Sequence, residues 1–291
     1  MRDIKGILAA LITPFNKDGS VNYPVLNEVI DYELSQGIDG FYVGGSTSEC
    51  FLLSVEERKK LVEAVVKYNN GRGIVLAHVG SIGTDLTVEL GKHAKAAGVD
   101  AISAVTPFYY KFTPEEIVQY YYDIADRTDI RVIAYNFPTL TGYALTVNDI
   151  DKLSKNANVA GVKYTCLDLY TMERFKHLHP ELVIYNGHDE VMLYGLTAGA
   201  DGGIGSTYNF MPDKFRRLVD CFKSGKIAEA QQLQHEINTI IPYVGKYGAM
   251  QAAKEFLTLR GMPCGDSRGP FTPLDESAKK ELKQVFDTYL K

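Results

Sequence analysis

"DAISAVTPFYYKFTPEEIVQYYYDIADRTDIRVIAYNFP", residues 100–138, holds a strand, a helix and a second strand in one run. Its ends, "DAISAVTP" (100–107) and "RVIAYNFP" (131–138), are short and nearly all apolar. Strands covered on both faces look like this, because neither face is left to water. Between them, "TPEEIVQYYYDIAD" opens with the signals of a helix start. Thr113 is placed to cap it and Glu116 to close a capping box, while Pro114 takes the first helical position, where its missing N–H costs nothing. Two strands joined by a helical crossover run parallel.

The same unit recurs along the chain. "GILAALITP" (6–14), "GFYVGG" (40–45) and "IVLAHVG" (74–80) come before it; "VAGVKYT" (159–165), "LVIYNG" (182–187) and "DGGIGST" (201–207) follow. Helical patterns separate most of these runs. "SVEERKKLVEAVVKY" has a second capping box in Ser54 and Glu57, and "TVNDIDKLSK" and "LYTMERFKHL" flank the sixth run. Eight such units predict an α/β fold, a closed TIM (β/α)8 barrel, which typically takes ~250 residues as one domain. Residues 1–211 are assigned to this barrel. Residues 212–291 carry no further strand signal and read as a C-terminal helical extension of the same domain, with Pro242 interrupting one helix and "DESAKKELKQVFDTYLK" forming the last.

Composition narrows the function. Of 291 residues, 45% are hydrophobic and 23% charged, which is enough apolar material for a sizeable core. A net charge of −5 argues against a nucleic-acid partner, whose footprint is a basic surface. The opening "MRDIKGILAALITPF" lacks the apolar core of a signal peptide, and no run is long enough to span a membrane. A cytoplasmic protein without membrane contact is therefore expected. The four cysteines, Cys50, Cys166, Cys221 and Cys264, are scattered with no CxxC pair, so reduced thiols are expected rather than disulfides or zinc.

In such barrels the chemistry sits at the C-terminal strand ends. Here those ends carry "GGSTSE", "TPFYYK", "YNFPTLTG", "KYT", "YNGHDE" and "GSTYN". Lys163 closes the sixth apolar run, where a charged residue is out of place. A desolvated lysine can attack a carbonyl and form a Schiff base; the alternative is a lysine ion-paired to a carboxylate or reaching to solvent. Tyr135 ends the fifth run, where its phenol suits proton transfer beside an imine, or simply an aromatic with its hydroxyl in water. Ser46 and Thr47 offer hydroxyls, and two preceding glycines free N–H groups for a carboxylate; a capped turn is the plainer reading. Asp189 and Glu190 suit hydrogen bonding to several hydroxyls, a Mg²⁺ ion, or an acidic helix start. His177, His179 and His188 have no metal-ligand spacing, so no metal site is assigned.

Taken together, "GGSTSE", "TPFYYKFTPEE", "YNFPTLTG", the lysine of "GVKYT" and "GADGGIGSTYN" resemble the pyruvate-dependent class I aldolases of the dihydrodipicolinate synthase and N-acetylneuraminate lyase superfamily. The resemblance covers essentially the whole chain. It leans to the lyase branch: Leu140 stands where the synthases carry a carboxylate-binding arginine, and "YNGHDE" and "DLYTME" are lyase-like. The resemblance implies a Schiff base on Lys163, proton transfer by Tyr135, and carboxylate binding by Ser46 and Thr47. Thr165, Gly187, Asp189, Glu190 and Ser206 would face the sugar chain, and Tyr109 would pack near the site, in part across a subunit boundary. It implies sialic acid, pyruvate and N-acetylmannosamine as ligands, no dissociable cofactor, and a homotetramer. Other keto-acid aldolases of the same barrel, a non-catalytic keto-acid binder and a Mg²⁺-dependent barrel enzyme are the rivals. Two departures stand out. Ser48 replaces the usual glycine, which predicts a perturbed turn. Tyr164, Cys166 and Leu167 differ from the common lyase loop, which predicts altered packing after Lys163.

Overall fold

Helices begin where the capping residues stand. The Thr113 hydroxyl accepts from the Glu116 N–H while the Glu116 carboxylate accepts from the Thr113 N–H, and Ser54 and Glu57 repeat the arrangement. A third box, Thr146 with Asp149, starts the helix before the sixth strand. The computed structural model describes residues 2–291. In chain order these form β1 (Gly6–Ala10), α1 (Tyr23–Ser35), β2 (Gly40–Val43), α2 (Val55–Asn69), β3 (Ile74–His78), α3 (Thr84–Ala97), β4 (Ala101–Val105) and α4 (Pro114–Thr128). There follow β5 (Val132–Asn136), α5 (Pro138–Thr141), α6 (Val147–Leu153), β6 (Val159–Tyr164), α7 (Leu169–Leu178), β7 (Val183–Asn186), α8 (Met192–Thr197) and β8 (Gly202–Gly205). Four helices complete the chain: α9 (Pro212–Lys223), α10 (Ile227–Tyr247), α11 (Ala249–Leu259) and α12 (Glu276–Tyr289).

The strand order is a closed barrel running from β1 to β8 in chain order, the (β/α)8 barrel that the alternating pattern predicts. Two compact units make up the chain: Gly6 and the residues before it with Ile74–Ile204, and Ile7–Gly73 with Gly205–Lys291.

In the first unit, β3 to β8 pair in succession, all parallel. Their residues are almost entirely buried, as near-continuous apolar runs require. The β5–β6 register places Tyr135 opposite Lys163 and Asn136 opposite Tyr164. The next pairing places Lys163 opposite Tyr185, whose hydroxyl donates to the Ile4 carbonyl.

In the second unit, β1 pairs with β2 in parallel, α1 packs against α2, and α9 to α12 pack among themselves. Contrary to the expectation from the sequence, Pro242 does not interrupt its helix; α10 runs through it from Ile227 to Tyr247. Proline removes one N–H and crowds the preceding turn. The buried residues Leu233, Ile237, Ile240 and Val244 on either side hold the helix together across that defect.

Candidate active site

Lys163 is reached by following β6 to its end. Successive strand residues point to opposite faces, so Lys163 and Tyr164 diverge. Tyr164 turns its ring edge-on to Phe175, centroids 5.6 Å apart, and its hydroxyl donates to the Asp168 carbonyl at 2.9 Å. Burial pushes its phenol well above the ordinary range, so it stays protonated. The departure at Tyr164 is thus a packing residue that also ties down the loop after β6, whereas Leu167 on that loop is exposed.

Lys163 is 4% exposed, and its Nζ lies 4.1 Å from the centre of the Tyr135 ring. An ammonium over a phenol face is stabilised by the ring quadrupole. Tyr135 is itself fixed from two further sides. Phe137 stacks on it, centroids 5.7 Å apart, and His78 stands edge-on at 6.0 Å. Nε2 of His78 accepts from the Val105 N–H at 3.2 Å, so this nitrogen carries no proton. Sequence reasoning missed both residues. The signal for His78 was a polar residue inside the apolar run "IVLAHVG"; Phe137 gave none.

Thr165 follows directly. Its N–H donates to the Asn136 carbonyl at 2.9 Å, and its buried hydroxyl has no hydrogen-bond partner. Gly187 packs against it: a Cβ there would lie 2.0 Å from the Thr165 Oγ1. Asp189 and Glu190 start a single turn of 3-10 helix after β7. Asp189 is buried, while Glu190 pairs with Nδ1 of His188 at 3.1 Å, which holds its carboxyl below the ordinary range. The two carboxylates therefore occupy different environments. Lys163, Tyr135, Thr165 and Gly187 come together on the β5–β7 ends. Tyr109 stands apart, 83% exposed, in left-handed backbone (φ 77°) with its ring edge-on to Tyr110.

The second unit holds Ser46, Thr47 and Ser206. After β2 the chain makes a tight turn whose internal donors are the N–H groups of Ser48, Glu49 and Cys50, bonded to the Gly45 and Ser46 carbonyls. The N–H groups of exposed Ser46 and half-buried Thr47 are not among these internal donors. The Gly44 N–H is not available as the two glycines suggest: it donates to the Ser48 hydroxyl at 3.0 Å, which in turn donates to the Leu11 carbonyl. Ser48 does not perturb the turn but braces it. Ser206 follows β8, where its carbonyl accepts from Nδ2 of Asn209. Asn209 also clamps the strand-one segment through the Ala10 carbonyl and the Ile12 N–H, a role unassigned from the sequence. Among the described residues, no group of three or more His, Cys, Asp or Glu is placed to hold a metal, and no helix is long and apolar enough to cross a membrane.

The model of the dihydrodipicolinate synthetase family matches residues 3–288. An N-acetylneuraminate lyase of Rhizobium meliloti strain 1021 is 40% identical over 97% of this chain and 94% of that relative. The solved structure of CdNal from Clostridium difficile in complex with mannosamine superposes with a TM-score of 0.97 at 38% identity, covering 99% of this chain and 100% of that one. N-acetylneuraminate lyase from Fusobacterium nucleatum complexed with pyruvate gives 0.95 at 37%, covering 99% and 98%. The chain belongs to the dihydrodipicolinate synthetase family.

Proposed function

We propose that this chain is a Schiff-base aldolase that reversibly cleaves N-acetylneuraminate to pyruvate and N-acetylmannosamine. The observation that carries the reading is Lys163 buried at a strand end with its Nζ against the Tyr135 ring. The lyases among its relatives, over nearly the full chain, support it.

In this proposal the neutral Lys163 amine adds to the C2 carbonyl of the open-chain sugar acid, and loss of water leaves a protonated imine. A base takes the C4 hydroxyl proton, the C3–C4 bond breaks, and its electron pair forms the enamine as the imine nitrogen accepts charge. N-acetylmannosamine leaves as the aldehyde. Protonation of the enamine at C3 gives the pyruvate imine, and water releases pyruvate and the lysine. Tyr135 moves protons in the carbinolamine and cleavage steps. Because the imine is the electron sink, the reaction calls for no dissociable cofactor.

Ser46 and Thr47 bind the carboxylate. Thr165, Gly187, Asp189, Glu190 and Ser206 face the hydroxylated chain, and Tyr109 completes the site in part across a subunit boundary of a homotetramer. The protein works in the cytoplasm, in sialic acid use.

The test is borohydride trapping with N-acetylneuraminate, followed by mass spectrometry. A pyruvate-sized adduct on Lys163, absent in Lys163→Ala, is the expected result. An adduct with pyruvate but none with N-acetylneuraminate would keep the aldolase and change the substrate. No adduct with either would overturn the reading.

A further inference from the structure

Lys254 and Glu49 form an ion pair at 2.6 Å, with side chains 2% and 0% exposed. Two charges removed from water need a reason, since such pairs rarely stabilise more than well-packed apolar residues would. Their positions supply one. Glu49 is the last residue of "GGSTSE", one turn beyond Ser46 and Thr47. Its backbone is left-handed, with φ at 60°, a conformation that side chains other than glycine's resist. In that conformation its N–H donates to the Ser46 carbonyl at 3.0 Å, and its carbonyl accepts from the Leu52 N–H at 2.8 Å.

Its carboxylate is gripped on both oxygens. Oε1 takes the Lys254 ammonium, and Oε2 accepts the Arg268 N–H at 2.7 Å. Lys254 also donates to the Asp266 carbonyl and sits 4.3 Å from the centre of the Phe15 ring. The grip thus comes from α11 and the segment after it, and it acts on a turn more than two hundred residues earlier.

We propose that Glu49 and Lys254 are positioning residues for the keto-acid carboxylate: their buried pair holds the left-handed turn that presents the N–H and hydroxyl groups of Ser46 and Thr47. This rests on the aldolase reading above. It gives the C-terminal helices a part in binding, beyond packing. Neither residue touches substrate, and neither transfers a proton.

The test uses the full-length protein and two ligands that differ in the carboxylate. Wild type is first shown to trap pyruvate on Lys163; if it does not, the aldolase reading fails before this one is reached. Dissociation constants for pyruvate and for N-acetylmannosamine, as product inhibitors of cleavage, are then compared in Lys254→Met and in Glu49→Gln. Glu49→Gln keeps the shape of the side chain and serves where Lys254→Met fails to fold. Expected is a rise of about tenfold or more in the pyruvate constant, with the N-acetylmannosamine constant and kcat little changed. An unchanged pyruvate constant, or an equal rise in both constants, would overturn the proposal.

Discussion

Tyr135 and Lys163 are paired across β5 and β6, and the Lys163 Nζ lies 4.1 Å from the centre of the Tyr135 ring. Parallel pairing at neighbouring strand ends keeps both side chains on one face of the sheet. The ladder sets the two backbones side by side, and Phe137 and His78 hold the phenol ring in its place against the amine.

Tyr135→Phe keeps this ring contact and the stacking on Phe137 but removes the hydroxyl proposed to carry the proton. Turnover should fall by about 10²–10⁴, while pyruvate is still trapped on Lys163 by borohydride. Steady-state kinetics beside a trapping assay reads both. Near-normal turnover would remove Tyr135 from the proton path.

Gly187 has no room for a methyl group: its Cβ would meet the Thr165 Oγ1 at 2.0 Å and the Thr165 Cα at 3.0 Å. Gly187→Ala should destabilise the fold by about 1–3 kcal/mol and displace Thr165. Urea unfolding together with KM for N-acetylneuraminate checks it, and a stable variant with unaltered KM would contradict the predicted displacement.

Ser48 bridges the Gly44 N–H and the Leu11 carbonyl from a buried position. Ser48→Gly supplies the residue usual in the family and takes the bridge away. The expected loss is about 1–3 kcal/mol, seen as a lower midpoint in denaturant. Unchanged stability would mean that the turn holds without the hydroxyl.

Glu33 lies fully buried in α1, and neither carboxylate oxygen has a hydrogen-bond partner. Burial pushes its carboxyl well above the usual range. The folded protein then keeps a proton that the unfolded chain releases above the ordinary carboxylate value. Stability is fully present below that value and declines as pH rises through the folded-state value. Glu33→Gln should remove this decline, so its melting temperature should exceed that of wild type by a margin that widens toward alkaline pH. A constant margin across pH would show that Glu33 titrates alike in the folded and the unfolded chain.

Which parts of the molecule were legible in the sequence follows from the range of each interaction. The capping boxes at Ser54 and Thr113 close within three residues, so they could be read directly. Apolar runs carry their own burial signal, and Lys163 was visible as a charge where the run should have stayed apolar. Pro242 misled, because the local rule against proline in helices yields to packing on both sides. Ser48 misled for a related reason: its hydroxyl finds Leu11, a partner the local chain does not reveal.

The sequence by itself determined the barrel and singled out Lys163, since both rest on periodicity and on residues that break it. Tertiary structure alone decided that Tyr135 sits against that lysine, that His78 and Phe137 brace the phenol, and that Lys254 reaches Glu49 from the far end of the chain. Register and helix docking are set by the summed burial of many side chains, and no local pattern encodes that sum.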